Sequence, residues 1–411
     1  SNNSLTNNNL ILSIDFGSSQ LRASVADIGS SSFPIAVRNN ISKLSTANII
    51  SFAEKERIYG SDCYSHQVLH PQECIRLVKM FFSSSSYIDA AHTVPFEVTQ
   101  KGVNVAYQCQ QPPIFISFAH LTAMMLLKMQ KFAIDDNLLW TTDDSDSLPP
   151  REARVISSLI ISMPNQASDA FKAVMIDACK IAKLNLVQLI SDGSAAALCY
   201  GISRRVPDQA PIENHLFVDV GHLFTNVSFA RISHQGVQVI AEVSDRCGGF
   251  DIDQALFDHF AKSFQEKYSI DVRSHAKATA KLYKQVHQTK EMLSTVPTTS
   301  FSLECLMNDV DATVSGFSLE QMELIAKPVI DKFAAIVNTL LEDEKVIEVL
   351  TASASASTSV SATYETRFAV DILGGGMIVT AFQKKLLALT KVQELRRYLD
   401  PSTSVASDAG I

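Results

Sequence analysis

The sequence predicts an α/β protein whose sheet-forming core occurs in two copies. The first copy is an apolar strand over residues 10–14, a turn over 15–19 that begins with Asp and contains Gly, and a second strand over 21–25. A strand, a polar Gly-containing turn and a second strand predict a hairpin. The pattern returns about 200 residues later, with a strand and turn over 216–221 and a strand over 226–232. This recurrence indicates an internal duplication.

Strands and helices alternate between the two copies. Residues 155–163 are rich in Val and Ile and predict a strand, and Ser168 can cap a helix that runs to about residue 182. A strand over 184–190 and a helix over 194–202 follow. An alternation of this kind favours a mixed or parallel sheet that is covered by helices.

The second half of the chain is more helical than the first. Residues 253–268 and 276–293 predict helices, and a strand over 368–372 follows. Residues 143–151, and residues 351–366 with their Ala-Ser repeat, have the composition of loops. We therefore expect these last two segments at the surface.

Composition limits the classes of function. The chain has 411 residues, 46% of them hydrophobic and 19% charged, which allows two packed units with well-buried cores. With a net charge of −8 and no run of Lys and Arg interleaved with aromatics, it is not expected to bind nucleic acid. No apolar run approaches the roughly 18–20 residues that span a bilayer, and the polar start is not a signal peptide, so we expect a cytoplasmic location without membrane contact. Seven cysteines without CxxC spacing indicate neither zinc binding nor a disulfide framework.

The turns that begin with Asp carry the strongest chemical signal. Such a turn can point backbone N–H groups at phosphate, while the Asp holds Mg²⁺ through water. Two of these turns facing each other would clamp a nucleotide, and Gly248-Gly249 and residues 373–376 supply further small turns. One such turn alone is common turn chemistry, but the ordered set predicts nucleotide binding. Neither a Walker A motif nor a dinucleotide fingerprint is present, which disfavours a P-loop or Rossmann enzyme.

Four stretches of the chain resemble one protein family. Residues 15–19 resemble the first phosphate turn, and residues 192–201 the Ala-rich stretch ending in Tyr-Gly, of the nucleotide-binding domains of heat-shock protein 70 and heat-shock protein 110. Residues 217–222 resemble the Asp-Met-Gly-His turn of the 110 branch, and residues 302–311 are similar to a stretch characteristic of that branch. The resemblance covers residues 11–411 and identifies the chain as a member of the heat-shock protein 110 family within the heat-shock protein 70 superfamily.

The resemblance implies an actin-like, ribonuclease H-like ATPase domain with two duplicated lobes. Its implied ligands are ATP or ADP and Mg²⁺. The expected divisions are a disordered start or tag scar over 1–10, lobe I over 11–203, lobe II over 204–350, a low-complexity surface loop over 351–367 and a return segment over 368–411 that completes the domain.

Site residues follow from the same resemblance. Lys79, Asp192 and Asp219 match catalytic positions. Asp15 and Asp219 match the aspartates that face Mg²⁺ through water. The expected cofactor-binding residues are Asp15, Gly17, Ser18, Ser19, Gly221, His222, Gly248, Gly249, Lys290, Ser294, Gly374 and Gly375.

For some of these residues, the alternative is that they have no role in the site. Lys79 and Lys290 could each be a solvated surface lysine, and His222 could be a turn histidine without chemistry. Four residues are spaced at positions i, i+3, i+4 and i+7, which lie on one face of a helix, and this spacing argues for a shared role. These four residues are His287, Lys290, Glu291 and Ser294.

The chain departs from the heat-shock protein 70 branch where that branch supports hydrolysis. Phe224 stands in place of a Thr in the second phosphate turn, and Asn226 in place of a second catalytic Asp. An amide cannot serve as a carboxylate base. Further departures are His287 for a ribose-binding Glu, Glu291 for a basic residue, Ile378 for an adenine-stacking Arg and Ser402 for an Asp.

The resemblance therefore implies a co-chaperone domain that binds ATP and acts as a nucleotide exchange factor for a heat-shock protein 70 partner, with at most slow hydrolysis. Unfolded client proteins would bind through a domain absent from this sequence. One alternative is an authentic heat-shock protein 70 type ATPase, which would need the Thr and carboxylate that Phe224 and Asn226 replace. The other is a degenerate, nucleotide-free scaffold of the same fold, which the changes at His287, Ile378 and Ser402 favour.

Overall fold

The computed structural model describes residues 10–27, 34–83, 96–105, 112–136, 155–204, 210–355 and 368–397. Its strands are β1 (Leu10–Phe16), β2 (Gln20–Asp27), β3 (Ile35–Ala36), β4 (Thr46–Ala47), β5 (Ile49–Ser51), β6 (Ile58–Tyr59), β7 (Cys74–Arg76), β8 (Glu97–Val98), β9 (Gly102–Val105), β10 (Ile114–Ser117), β11 (Ser158–Met163), β12 (Leu186–Ser191), β13 (Glu213–Val220), β14 (Phe224–Ser233), β15 (Gly236–Arg246), β16 (Thr298–Met307), β17 (Val310–Ser318) and β18 (Ala369–Leu373). Its α-helices are α1 (Tyr64–Leu69), α2 (Val78–Ser83), α3 (Phe118–Asp135), α4 (Asp169–Ala182), α5 (Asp192–Arg204), α6 (Gly249–Tyr268), α7 (Ala276–Leu293), α8 (Leu319–Ile325), α9 (Lys327–Leu341), α10 (Glu344–Ser355) and α11 (Thr380–Thr390).

Two larger sheets have the same arrangement. In the first, the strand order is β12-β11-β1-β2-β3, with β1 antiparallel to β2 and parallel to β11. In the second, the order is β15-β14-β13-β18, with β13 antiparallel to β14 and parallel to β18. The strand pair β1–β2 thus corresponds to β13–β14, and the predicted duplication and mixed sheet are confirmed.

The remaining sheets are small. Strands β10, β9 and β8 form one antiparallel sheet, and β6, β5 and β7 form another. Strands β16 and β17 form a separate hairpin, which contains the predicted branch-specific stretch 302–311. Asn308 and Asp309 connect its strands with φ of 51° and 56°. Positive φ at both central residues is typical of a type I′ turn.

The local signals placed the helices closely. Ser168 is the N-cap of α4, where its side chain accepts a hydrogen bond from the backbone N–H of Phe171, and α4 ends at Ala182 as predicted. Helix α7 has the predicted range, and α6 ends at Tyr268 as predicted but begins at Gly249, four residues before its predicted start. The predicted loop over 351–366 begins later than expected, because α10 continues to Ser355. The rest of that loop, the loop over 143–151 and the start over 1–9 lie outside the described residues, and the lobe boundaries stay a prediction.

Strand β13 is buried on both faces. Leu216, Val218 and Val220 pack into the main hydrophobic core. Phe217 lies on the opposite face and packs with Tyr200 of α5. Burial on both faces is what a sheet covered by helices requires, and it explains why this strand is a continuous apolar run.

The described cysteines are free thiols. Cys63, Cys74, Cys179 and Cys247 are buried, and burial raises the pKa of Cys63 to about 12. Cys305 is exposed. Among the described residues, no helix combines the length and apolarity needed to cross a membrane.

Candidate functional site

A cavity of about 270 Å³ is lined by residues of both larger sheets and of α7. The predicted site residues that line it are Asp15, Gly17, Ser18, Ser19, Lys79, Asp192, Asp219, Gly221, His222, Gly249, Lys290, Ser294, Gly374 and Gly375. Gly248 is not among the lining residues. A Cβ atom there would come within 2.6 Å of the carbonyl oxygen of His222, so Gly248 permits close packing of two backbone segments.

The two phosphate-turn aspartates occupy equivalent places in the duplicated hairpins. Asp15 is the second-last residue of β1, and Asp219 is the second-last residue of β13. Glycines hold the backbone close to both. A Cβ at Gly17 would lie 2.1 Å from the carbonyl oxygen of Gln20, and Gly374, with φ of 78°, packs against the carboxylate of Asp219. The tight turns that expose backbone N–H groups therefore depend on glycine.

Three carboxyl groups crowd the cavity. Burial, together with the nearby charges of Asp192 and Asp15, raises the pKa of Asp219 to about 7, against the hydrogen bond from Asn226. Burial also raises the pKa of Asp192 to about 6, which Lys79 opposes and Asp15 reinforces. Like charges in a buried site disfavour ionisation. A divalent cation would relieve this repulsion, so the oxygen donors present fit Mg²⁺. Within the described ranges, no group of three or more His, Cys, Asp and Glu side chains is itself placed to hold a metal ion.

Asn226 joins two of these carboxylates. Its Nδ2 donates to Oδ2 of Asp192 at 3.2 Å and to Oδ2 of Asp219 at 3.3 Å. Its Oδ1 accepts the backbone N–H of Asn165 at 3.0 Å. The amide is 4% exposed, and the hydrogen bonds at both ends fix its orientation. Asn226 therefore acts as a fixed donor to the acidic cluster.

Lys79 is a buried cation. It lies on α2, is 4% exposed, and its Nζ donates to the carbonyl oxygen of Phe16 at 2.7 Å. The Nζ atom lies 5.6 Å from the ring centroid of Phe171 and 5.8 Å from that of Phe224. Burial lowers the pKa of Lys79, and the surrounding aspartates oppose this effect. The alternative of a solvated surface lysine is wrong.

The predicted face of α7 is present, and it forms the other end of the cavity. Lys290 is 6% exposed and contacts Oδ1 of Asp253 at 2.8 Å, while its Nζ donates to the carbonyl oxygen of Gly249 at 3.0 Å. His287 contacts Asp253 through Nδ1 at 3.0 Å and Glu291 through Nε2 at 3.4 Å. The surface-lysine alternative is therefore wrong for Lys290 too. Asp253 organises this end of the cavity by pairing with both Lys290 and His287, and no pattern in the sequence predicted this role.

His222 lies between the two ends of the cavity. Its ring meets Phe250 edge-on, with centroids 5.6 Å apart, and lies 6.2 Å from the ring of His287. Burial lowers the pKa of His222 to about 3, which Asp253 opposes. The imidazole is thus neutral near pH 7, and it can donate or accept one hydrogen bond at each ring nitrogen.

The described residues that depart from the heat-shock protein 70 pattern also line the cavity. Phe224, Asn226, His287, Glu291 and Ile378 contribute to its wall, and Ile378 is 54% exposed. Ser402 lies outside the described residues. The sequence reasoning missed the lining residues Gln20, Arg22 and Val379. Leu373 and Gly376 also line the cavity, and they belong to the predicted small turn over 373–376. Arg22 could have been noticed, because it is a charged residue inside the apolar strand β2.

Comparison with known proteins identifies the family. The model of the family described as Hsp70 protein matches residues 11–353. The 97 kDa heat shock protein of Mesocentrotus franciscanus is 32% identical over 341 residues, covering 78% of this chain and 36% of the relative. Heat shock protein 88 of Dictyostelium discoideum is 27% identical over 418 residues, covering 98% and 48%. Heat shock 70 kDa protein 16 of Arabidopsis thaliana is 26% identical over 399 residues, covering 92% and 48%.

The chain spans less than half the length of each of these relatives. The matched family region nevertheless contains both duplicated hairpins, the acidic cluster and the whole of α7. The relatives of this chain include heat-shock proteins of 97 kDa as well as of the 70 kDa class, as the resemblance to the heat-shock protein 110 branch implied. The chain therefore belongs to the Hsp70 protein family, whose nucleotide-binding domains have an actin-like ATPase fold and bind ATP or ADP with Mg²⁺.

Proposed function

We propose that this chain is a co-chaperone domain that binds ATP with Mg²⁺ in the cavity, hydrolyses it slowly at most, and promotes ADP release from a heat-shock protein 70 partner. Bound Mg²⁺ would offset phosphate charge, and Asp15 and Asp219 would hold it through water. A cytoplasmic location, and client binding through a domain outside this sequence, belong to the same proposal. One observation carries the proposal. The cavity is lined by nearly all of the predicted nucleotide-binding residues, whereas Phe224 and Asn226 occupy the positions that support hydrolysis in the heat-shock protein 70 branch.

Slow hydrolysis follows from the state of Asn226. A general base must accept a proton from the attacking water, and such catalysis contributes about 100- to 10,000-fold. The oxygen of this amide already accepts the N–H of Asn165, and its nitrogen can only donate. Position 226 therefore cannot supply the base that a carboxylate would provide there.

The surroundings of Lys79 support the same conclusion. Its ammonium group already has a hydrogen bond to Phe16 and two aromatic rings within 6 Å. Phe224 supplies one of these rings from the second phosphate turn, where a Thr would leave space and offer a hydroxyl group. To contact a phosphate, Lys79 would have to leave part of this environment. That reorganisation weakens transition-state stabilisation, which depends on preorganised charge.

Nucleotide would act as a conformational ligand. The cavity is lined by both hairpin turns, by α7 and by the turn after β18, so a bound nucleotide contacts elements of both larger sheets. A ligand shifts a conformational equilibrium by its difference in affinity for the two states. We propose that the state with ATP bound is the one that fits the partner. The hairpin β16–β17, with exposed acidic residues Glu304, Asp309 and Asp311, is available for such contact.

The deciding experiment is the release of labelled ADP from a heat-shock protein 70 partner, with and without this domain. Release should accelerate when the domain is loaded with ATP. A matched Asp219→Lys variant should not accelerate it, because a cation at this position displaces Mg²⁺ and distorts the acidic cluster. The full-length protein should be tested beside the domain, since a larger interface adds contact area. Unchanged release with both, while a known exchange factor works, would reject the exchange function.

A nucleotide-free scaffold is the second candidate, and one observation favours it. The two buried cations that could meet a nucleotide, Lys79 and Lys290, are both engaged by protein groups. Calorimetric titration with ATP and Mg²⁺ separates the candidates, because a scaffold gives no binding heat at any practical concentration. An authentic chaperone ATPase would instead show fast single-turnover hydrolysis, which Phe224 and Asn226 disfavour.

A further inference from the structure

The duplicated hairpins place a second residue at an equivalent position beside each phosphate-turn aspartate. In β1–β2, Asp15 lies directly opposite Arg22, and in β13–β14, Asp219 lies directly opposite Asn226. Side chains directly opposite each other on antiparallel strands lie on the same face of the sheet and interact. Each aspartate therefore has a donor built in across the strand, an amide in one repeat and a guanidinium in the other.

The contact between Arg22 and Asp15 is direct. Nη1 of Arg22 lies 3.2 Å from Oδ2 of Asp15, and the side chains are 21% and 12% exposed. Both residues line the cavity. The Nε atom of Arg22 is buried and makes no hydrogen bond with any residue that the structure describes. Arg22 thus carries a fixed positive charge at the phosphate end, with donor capacity that the described protein groups do not use.

The charge of Arg22 alters the balance of positive and negative charge that a metal ion would meet in the cavity. The phosphate end holds three carboxyl groups, from Asp15, Asp192 and Asp219, together with Arg22 and Lys79 as cations. An Arg side chain is always charged and cannot be neutralised by burial in the way that a Lys can. Arg22 also lowers the pKa of Asp219, against the burial that raises it. Mg²⁺ would have to share the carboxylate of Asp15 with this guanidinium.

We propose that Arg22 is a built-in counter-ion of the phosphate cavity and takes over part of the role of Mg²⁺. The inference rests on the proposed nucleotide binding only for its consequence, which is that nucleotide binds with weak dependence on Mg²⁺. The competition between Arg22 and Mg²⁺ at Asp15 exists with or without nucleotide, so it can be measured separately. This separation keeps the two proposals distinguishable.

Thermal melting with MgCl₂ alone tests the competition. The variants are Arg22→Gln, which removes the charge, and Arg22→Lys, which keeps it. Arg273→Gln is the matched control, because Arg273 pairs with Asp258 at 2.6 Å, is 45% exposed and does not line the cavity. Arg22→Gln should be stabilised at Mg²⁺ concentrations about tenfold lower than wild type requires, as expected for the loss of one partly screened charge. Arg22→Lys and the control should behave like wild type.

Calorimetric titration with ADP in Mg²⁺ or in EDTA tests the consequence. Replacing Mg²⁺ by EDTA should weaken the binding of ADP to wild type only a little. The same change should weaken the binding of ADP to Arg22→Gln by a factor about tenfold larger. Equal Mg²⁺ dependence of wild type and Arg22→Gln in the melting experiment overturns the inference, whether or not nucleotide binds. If no variant binds ADP, the proposed function fails, and the melting experiment still decides the role of Arg22.

Discussion

Replacing Asn226 by Asp tests the description of the acidic cluster most directly. The amide donates to Asp192 at 3.2 Å and to Asp219 at 3.3 Å, and it is almost fully buried. A carboxyl group at this position has the same shape and can still accept the N–H of Asn165. It cannot donate when ionised. The substitution therefore changes charge and hydrogen bonding while leaving the packing intact.

The magnitude follows from these distances. Each lost hydrogen bond to a charged acceptor is worth about 1.5–3 kcal/mol. Two unit charges 3.3 Å apart repel by about 5 kcal/mol at an effective dielectric constant of about 20. Protonation of one carboxyl group is the less costly outcome, since the pKa of Asp219 is already about 7. We therefore expect the free energy of unfolding to fall by about 2–4 kcal/mol at pH 8 without Mg²⁺, and by less at pH 6.

Urea denaturation followed by circular dichroism measures this effect at pH 6 and pH 8, each with and without Mg²⁺. The exposed Asn40, which does not line the cavity, provides the matched control Asn40→Asp. Mg²⁺ should restore much of the stability of Asn226→Asp, because the added carboxylate extends a site that suits a divalent cation. Equal stability of Asn226→Asp and wild type at pH 8 without Mg²⁺ would refute the proposed geometry and charge of the cluster.

Three further predictions concern the same cavity. Because the pKa of Asp219 is raised to about 7 in the folded state, its contribution to stability is lost as the pH rises from about 4 to about 7. Asp219→Asn should flatten this pH dependence of the free energy of unfolding by up to about 4 kcal/mol in urea denaturation, and an unchanged pH profile would contradict the prediction. The double variant Phe224→Thr with Asn226→Asp should hydrolyse ATP at least about tenfold faster than wild type in single-turnover measurements with Mg²⁺, and no gain in rate would show that these positions do not limit hydrolysis. His222, whose pKa burial lowers to about 3, should show no protonation in an NMR titration between pH 5 and pH 8, and a titration near pH 6.5 would place it in solvent.

The duplicated α/β fold, the end of α4 and the range of α7 could be predicted from short-range signals in the sequence, whereas the site residues followed from the family resemblance. Ser168 caps α4 through a hydrogen bond to a residue three positions away, and the face of α7 follows from helical periodicity. The two Asp-x-Gly turns are equally local, because Gly17 is required by the backbone of its own hairpin. Signals of this kind can be recognised without knowing what packs against them.

The pairing of charges in the cavity could be read only from the folded structure. Asp253 on α6 meets Lys290 on α7, Lys79 reaches the carbonyl oxygen of Phe16, and Asn226 joins the carboxylates of two different elements. The partner of each group lies between 7 and 63 positions away in the chain and is selected by strand register and helix packing. The energy of a buried charge depends on distances to its partners and on exclusion of water. Neither quantity is encoded in the local pattern of residues, so the residue types were predictable whereas their pKa values and partners were not.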